Sequence, residues 1–211
     1  MGDPSVAAVP VVECGSPLVD LHGTALALDD RQRDAAGAFA LLRAELVGLL
    51  VQAQGRLPDG LALLVVEGYR PPALQRSYFD EYRDELRLLH PQWSGAELGL
   101  ATSRYISPPA VAPHCAGAAV DLTLRTAGGT ELDLGTAVNA TPEESRGGCF
   151  TGSDAIGAAA RANRQVLVTA LESVGLVNYP TEWWHWSFGD RYWAITTGAP
   201  AARYGPVDPP R

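Results

Sequence analysis

The sequence predicts an α+β fold: a small, mainly antiparallel sheet with flanking helices. Two apolar runs have the length of buried strands, Leu61-Ala62-Leu63-Leu64-Val65-Val66 and the stretch 118–124. Between and around them lie segments with helical spacing. Strands and helices follow one another with hairpin-like returns, an order that favours antiparallel pairing.

Taken in order, residues 1–17 are rich in Pro, Val and Ala and read as an arm or an edge strand, ahead of a folded unit over 18–197. Asp29 or Asp30 can cap a helix running to about Gln54, with Ala38, Leu42, Leu46, Leu49 and Leu50 near one face. Gly55 and Pro58 stop it. The strand at 61–66 ends at Glu67-Gly68-Tyr69-Arg70-Pro71-Pro72, whose prolines suit the first turn of a helix reaching about Leu89. Ser94 and Glu97 have capping-box spacing before a further short helix. A Pro-rich loop at 107–113 leads into the second strand. A helix is expected at about 154–174, ended by Gly175, with Arg161-Ala162-Asn163-Arg164 as a solvated face. The stretches 183–188 and 192–195 read as a closing hairpin about Gly189-Asp190. From Gly198 to Arg211 the tail, with Pro200, Gly205, Pro206, Pro209 and Pro210, is expected to wrap the surface or lack order.

At 211 residues and 22.3 kDa the chain suits one domain with a real core. A net charge of -8 argues against nucleic-acid and anionic-membrane partners, and the 16 basic residues are scattered. No stretch approaches the ~18 apolar residues of a membrane span, and no signal peptide is read at the start. Cys14, Cys115 and Cys149 are odd in number and lack C-x-x-C spacing, which speaks against a disulfide framework and for a cytoplasmic protein.

Two of the four histidines sit where metal chemistry is expected. His114 and Asp121 would lie ~23 Å apart on a fully extended chain. They reach one ion, at ~2 Å from each, only if the chain folds back between them. Ala116-Gly117-Ala118 is small enough to permit that bend. Asp121 interrupts the apolar residues Val120, Leu122 and Leu124, where an unpaired carboxylate is costly. The second context is Glu182-Trp183-Trp184-His185-Trp186. Glu182 and His185 share a face if Glu182 lies on a helical turn or tight bend. A zinc hydrolase needs three protein ligands, an open position and a carboxylate beside the water. His114, Asp121 and His185 fill the first role and Glu182 the last, while the tryptophans exclude bulk water. Arg70, directly after a buried strand, either stabilises an oxyanion or forms a structural ion pair with an acid such as Glu67, and spacing favours the ion pair.

Glu67-Gly68-Tyr69-Arg70-Pro71, His114-x-x-Gly117-x-x-x-Asp121-Leu122-Thr123-Leu124 and Glu182-Trp183-Trp184-His185-Trp186 together resemble the VanX-type D-alanyl-D-alanine dipeptidases. The resemblance spans roughly 18–195. It implies an α+β zinc peptidase with one Zn2+ per chain on His114, Asp121 and His185. Glu182 would be the catalytic base, and Arg70 would stabilise the tetrahedral intermediate of a cytoplasmic reaction on a small cell-wall peptide. Two departures bear on the substrate. Where the family has Ser-x-His-Ser-x-Gly, this chain has Ala112-Pro113-His114-Cys115-Ala116-Gly117. Where the family often has an aspartate after a Gly-Ser/Thr-x-Phe lead, this chain has Asn139, which would lack the counter-charge for a dipeptide's ammonium.

Other readings follow from the same residues. One is zinc chemistry on an N-blocked or secondary-metabolite peptide. Another is a non-catalytic zinc-binding interaction module, which would make Glu182 dispensable. A thiol hydrolase on Cys115 is disfavoured, since its neighbour His114 would point away on an extended chain. His22, beside Asp20, and His90, at a helix end, are assigned to structural or exposed roles.

Overall fold

The two apolar runs pair with each other. In the computed structural model, which describes residues 3–104 and 106–209, the chain opens with a one-turn helix α1 (Pro4–Ala7) and strand β1 (Leu18–Asp20). There follow β2 (Ala27–Leu28), β3 (Leu41–Arg43), α2 (Ala44–Gln54), β4 (Leu61–Glu67), α3 (Pro72–Leu89) and α4 (Gly95–Thr102). Then come β5 (Ala119–Thr126), α5 (Pro142–Ser145), α6 (Ala158–Glu172), β6 (Val177–Tyr179), β7 (Glu182–Ser187) and α7 (Arg191–Thr197). The main sheet has the order β2-β4-β5-β7-β6, antiparallel throughout except for β2 beside β4. A second, two-stranded sheet pairs β1 with β3. No helix of the described residues is long and apolar enough to cross a membrane.

Period-two alternation gives this sheet two unlike faces. Leu63 and Val65 of β4 and Val120, Leu122 and Leu124 of β5 enter the core, against Leu46 and Leu50 of α2 and Leu167 and Leu171 of α6. Asp121 and His185 belong to the opposite face. Two irregularities reshape that face. The register between β4 and β5 shifts after Val65, so that Glu67 rather than Val66 stands opposite Asp121. Between β6 and β7, Asn178 pairs with Trp186 but Tyr179 pairs with Glu182, which leaves Trp183, Trp184 and His185 as an excursion.

Several local expectations hold. Pro72 opens α3, and Ser94 and Glu97 form the reciprocal capping box. The helix expected from Asp29 does not form until Ala44. Asp29 caps only a 3-10 turn, through Arg31, and the Asp34 carboxylate accepts the amides of Ala36 and Phe39, turning the chain aside. Leu41–Arg43 then satisfies its backbone by pairing with β1.

The closing hairpin is also replaced. Asp190 accepts the amides of Tyr192 and Trp193 and so caps a helix, α7, while β7 finds its antiparallel partner upstream in β6.

Arg164 overturns the solvated-face reading of α6. It is 3% exposed, and its guanidinium donates to the carbonyls of Leu134, Gly148 and Phe150, each at 2.7 Å. Asn163 donates to Asp133 O and Arg161 to Ile156 O.

The N-terminal arm and the C-terminal tail meet. Val11 bridges Ala202, Arg203 and Tyr204 donate their amides to Gly189 O, and the Val207 amide donates to Cys115 O. Buried Arg43 clasps Ala116 O, Ser16 O, Gly205 O and Glu13. The tail therefore wraps the fold as far as it is described; Pro210 lies outside the described residues.

Candidate active site

Asp121 and His185 are directly opposite on β5 and β7, which puts their side chains on one face and in reach of each other. Asp121 Oδ1 lies 3.0 Å from His185 Nδ1. His114 arrives from a 3-10 turn, Pro113–Ala116, immediately ahead of β5. Gly117 ends that turn in the left-handed region at φ +64°, and a Cβ there would collide with Leu18 Cδ2. The small-residue bend expected from the sequence thus exists. It brings His114 Nε2 to 3.4 Å from Asp121 Oδ1 and 3.2 Å from His185 Nδ1. On its far side, His114 Nδ1 lies 2.6 Å from Gly68 O. A ring N–H donating there fixes the tautomer and leaves the Nε2 lone pair facing the other two donors.

These three atoms fit one small cation. Tetrahedral ligands at ~2.0–2.1 Å from zinc stand roughly 3.3 Å from one another. The observed separations, 3.0 to 3.4 Å, bracket that value. His114, Asp121 and His185 are all buried, and they form the one such group of potential ligands found among the described residues. Burial alone would raise the Asp121 pKa, but the His114 and His185 imidazoles outweigh it and hold the carboxyl well below the usual range. Glu67 is taken up by its ion pair with Arg70, which leaves Asp121 and Glu182 beside the two imidazoles as negative charge that a divalent cation offsets.

Glu182 depends on the β7 excursion. On a regular strand, residues three apart point to opposite faces. Here Asn178 Nδ2 donates to Glu182 O at 3.1 Å and His185 O at 3.0 Å, pinching the backbone between them. Glu182 Oε2 consequently lies 3.8 Å from His185 Nδ1. This is the tight bend that the sequence required. Burial pushes the Glu182 carboxyl upward, and the third of its side chain that stays exposed borders the central cavity.

Arg70 makes the ion pair that spacing favoured and also borders the cavity. Its Nε and Nη2 donate to Glu67 at 2.7 and 2.5 Å, and Nη1 donates to Gln75 Oε1 at 2.8 Å. Two of the five guanidinium N–H groups are left over from these bonds. Burial would depress the guanidinium pKa, but Glu67 outweighs it and Arg70 stays charged. Gln75, 2% exposed, passes its own Nε2–H to Ser107 O at 2.8 Å. The amide therefore spans from the arginine to the loop that leads to His114.

Gln75→Leu is expected to lower kcat about tenfold with metal content unchanged, because a loosely held guanidinium stabilises developing charge less well. Metal analysis beside steady-state kinetics checks this.

Gln75, Asn178 and the Gly68 carbonyl are support that spacing did not reveal. Glu67 carried a signal, its place in the motif beside Arg70. Gln75 carried none, since a glutamine in an amphipathic helix reads as exposed.

Arg70, Gln75, His114, Asp121, Glu182 and His185 line one cavity of about 720 Å³. Asn139 is on its wall, as is Glu143 in the first turn of α5, so a carboxylate is present four residues beyond the neutral amide. Cys115 is fully buried, and burial pushes its thiol up to about 12, which removes the basis for a thiolate nucleophile. His22 is exposed beside Asp20, and His90 stacks on Trp93 at 3.8 Å.

Among solved structures, the LdcB LD-carboxypeptidase aligns with a TM-score of 0.53 at 15% identity, covering 91% of this chain and 77% of its own, a likeness of fold. VanYB, solved in complex with D-alanine-D-alanine, aligns at 0.47 and 16% identity over 93% and 94%. A D-alanyl-D-alanine dipeptidase of Synechocystis sp. is 27% identical over 224 residues, 89% of this chain and 87% of that protein. A family model described as D-Ala-D-Ala dipeptidase matches residues 30–198, a span that contains Arg70, His114, Asp121, Glu182 and His185. The chain belongs to the peptidase M15 family of D-Ala-D-Ala dipeptidases.

Proposed function

We propose that this protein is a zinc metallopeptidase that hydrolyses D-alanyl-D-alanine or a closely similar D-amino-acid dipeptide. The observation that carries the reading is the convergence of His114 Nε2, Asp121 Oδ1 and His185 Nδ1 at tetrahedral-edge distances, beside a carboxylate and a guanidinium. Family membership and the Synechocystis relative support the substrate. Residues 18–197 would form the catalytic unit, with 1–17 and 198–211 as arm and tail.

His114, Asp121 and His185 would hold one Zn2+. When bound, zinc supplies Lewis acidity for the peptide carbonyl and acidity for a water. Glu182 then accepts that water's proton and returns it to the departing amine. A raised Glu182 pKa suits both steps, since the same carboxyl must take and release a proton. Arg70 turns its spare N–H groups to the oxyanion and is fixed beforehand by Glu67 and Gln75. Trp184, buried against the cavity, helps to exclude bulk water. Glu143 offers the counter-charge for a free ammonium that Asn139 lacks, which favours the free dipeptide over an N-blocked one.

Release of D-alanine from D-Ala-D-Ala should be abolished by a chelator and restored by Zn2+, with N-acetyl-D-Ala-D-Ala cleaved much more slowly. Chelator-insensitive hydrolysis would refute the zinc mechanism, and an equal rate on the acetylated peptide would refute the ammonium site.

A further inference from the structure

We infer that the preferred substrate is a dipeptide with one bulky apolar or aromatic side chain, seated against Tyr78 and Phe150. This rests on the peptidase reading and deepens it. The cavity, at about 720 Å³, has the size of sites that hold drug-sized ligands, and D-Ala-D-Ala would occupy only a small part of it.

The surplus space has an aromatic wall. Tyr78, on α3, and Phe150, in the segment after α5, are each 39% exposed, and both border the cavity from separate elements. Single exposed aromatic rings are ordinary on a protein surface. Two that line the same cavity as the reacting groups are a place for apolar contact. The Tyr78 ring centroid lies 5.4 Å from Arg70 Cζ, so this wall begins beside the group assigned to the oxyanion. A ring packed there would sit within one residue of the scissile bond.

Phe150 is also held firmly. Its carbonyl accepts from buried Arg164 at 2.7 Å, and its amide donates to Gly147 O. A pre-positioned aromatic surface costs little ordering when a ligand covers it. A methyl side chain offers little apolar surface to such rings, whereas a phenyl or branched aliphatic group offers much more. Selectivity built from such contacts is worth roughly tenfold or more between a large and a small side chain.

The test compares kcat/KM of the zinc-loaded full chain on D-Ala-D-Ala, D-Phe-D-Ala and D-Ala-D-Phe. The two phenylalanine peptides place the ring on either side of the scissile bond. One of them should exceed D-Ala-D-Ala by at least about tenfold, and Phe150→Ala should cut that ratio by about tenfold. Tyr78→Ala serves as the second variant should Phe150→Ala fail to fold, with the same fall expected. Cleavage of D-Ala-D-Ala with both phenylalanine peptides slower overturns the subsite and leaves the peptidase reading standing. A ratio unchanged in the variants overturns the placement on these rings. No cleavage of any of the three peptides overturns both readings.

Discussion

Glu182→Gln should lower kcat for D-Ala-D-Ala by about 10³-fold while the folded protein keeps its zinc, because the amide retains the shape but cannot accept a proton. Glu182 is not one of the three converging donors; its Oε2 lies 3.8 Å from His185 Nδ1. Loss of turnover with unchanged metal content separates a base from a ligand, and it also separates an enzyme from a non-catalytic zinc module. Turnover near the wild-type level would refute the assignment. The wild-type pH profile carries the same information. Burial raises the Glu182 carboxyl, and the base works only when ionised, so kcat/KM should fall as pH drops through that raised value. The acid limb should be absent from the residual activity of Glu182→Gln.

Arg164→Met should cost about 3–5 kcal/mol of stability, since it strands three carbonyls at once, two of them in buried contacts. For a chain of this size that corresponds to a Tm lower by about 10 °C. The segment it fastens, 134–150, carries Asn139 and Glu143 to the cavity wall, so substrate affinity should weaken as well. Arg164→Lys should fall between the two, because one ammonium cannot reach all three carbonyls with the planar fork of a guanidinium. Thermal melts of the three proteins decide this, and a Met variant as stable as wild type would show the carbonyls to be satisfied another way.

The sequence was most legible where local chemistry decides the structure. The strand at 61–66 was evident from its apolar residues, α3 from its prolines and α4 from its capping box. The fold-back between His114 and Asp121 was legible because Gly117 is the residue type that a left-handed turn end requires. Elsewhere competition between distant segments decided the outcome. Tyr192, Trp193 and Ile195 are good strand formers, but Asp190 offers two amides a cap, and β6 takes the pairing edge of β7. Leu41–Arg43 fits a helical pattern until β1 offers it a partner. The excursion that aligns Glu182 with His185 depends on an asparagine in another strand, and no spacing rule contains it. Arg164 was misread for a similar reason: its partners are backbone carbonyls 14 to 30 residues away, and carbonyls leave no mark in a sequence.

Zinc stoichiometry in Asp121→Ala tests the central claim most directly. Asp121 Oδ1 lies 3.0 and 3.4 Å from the other two donors, and its carboxylate is the only anion among the three. After dialysis against a weak chelator, wild type should retain one zinc per chain, and a folded Asp121→Ala protein should retain almost none. An Asp121→Ala protein that holds zinc as well as wild type would contradict the site.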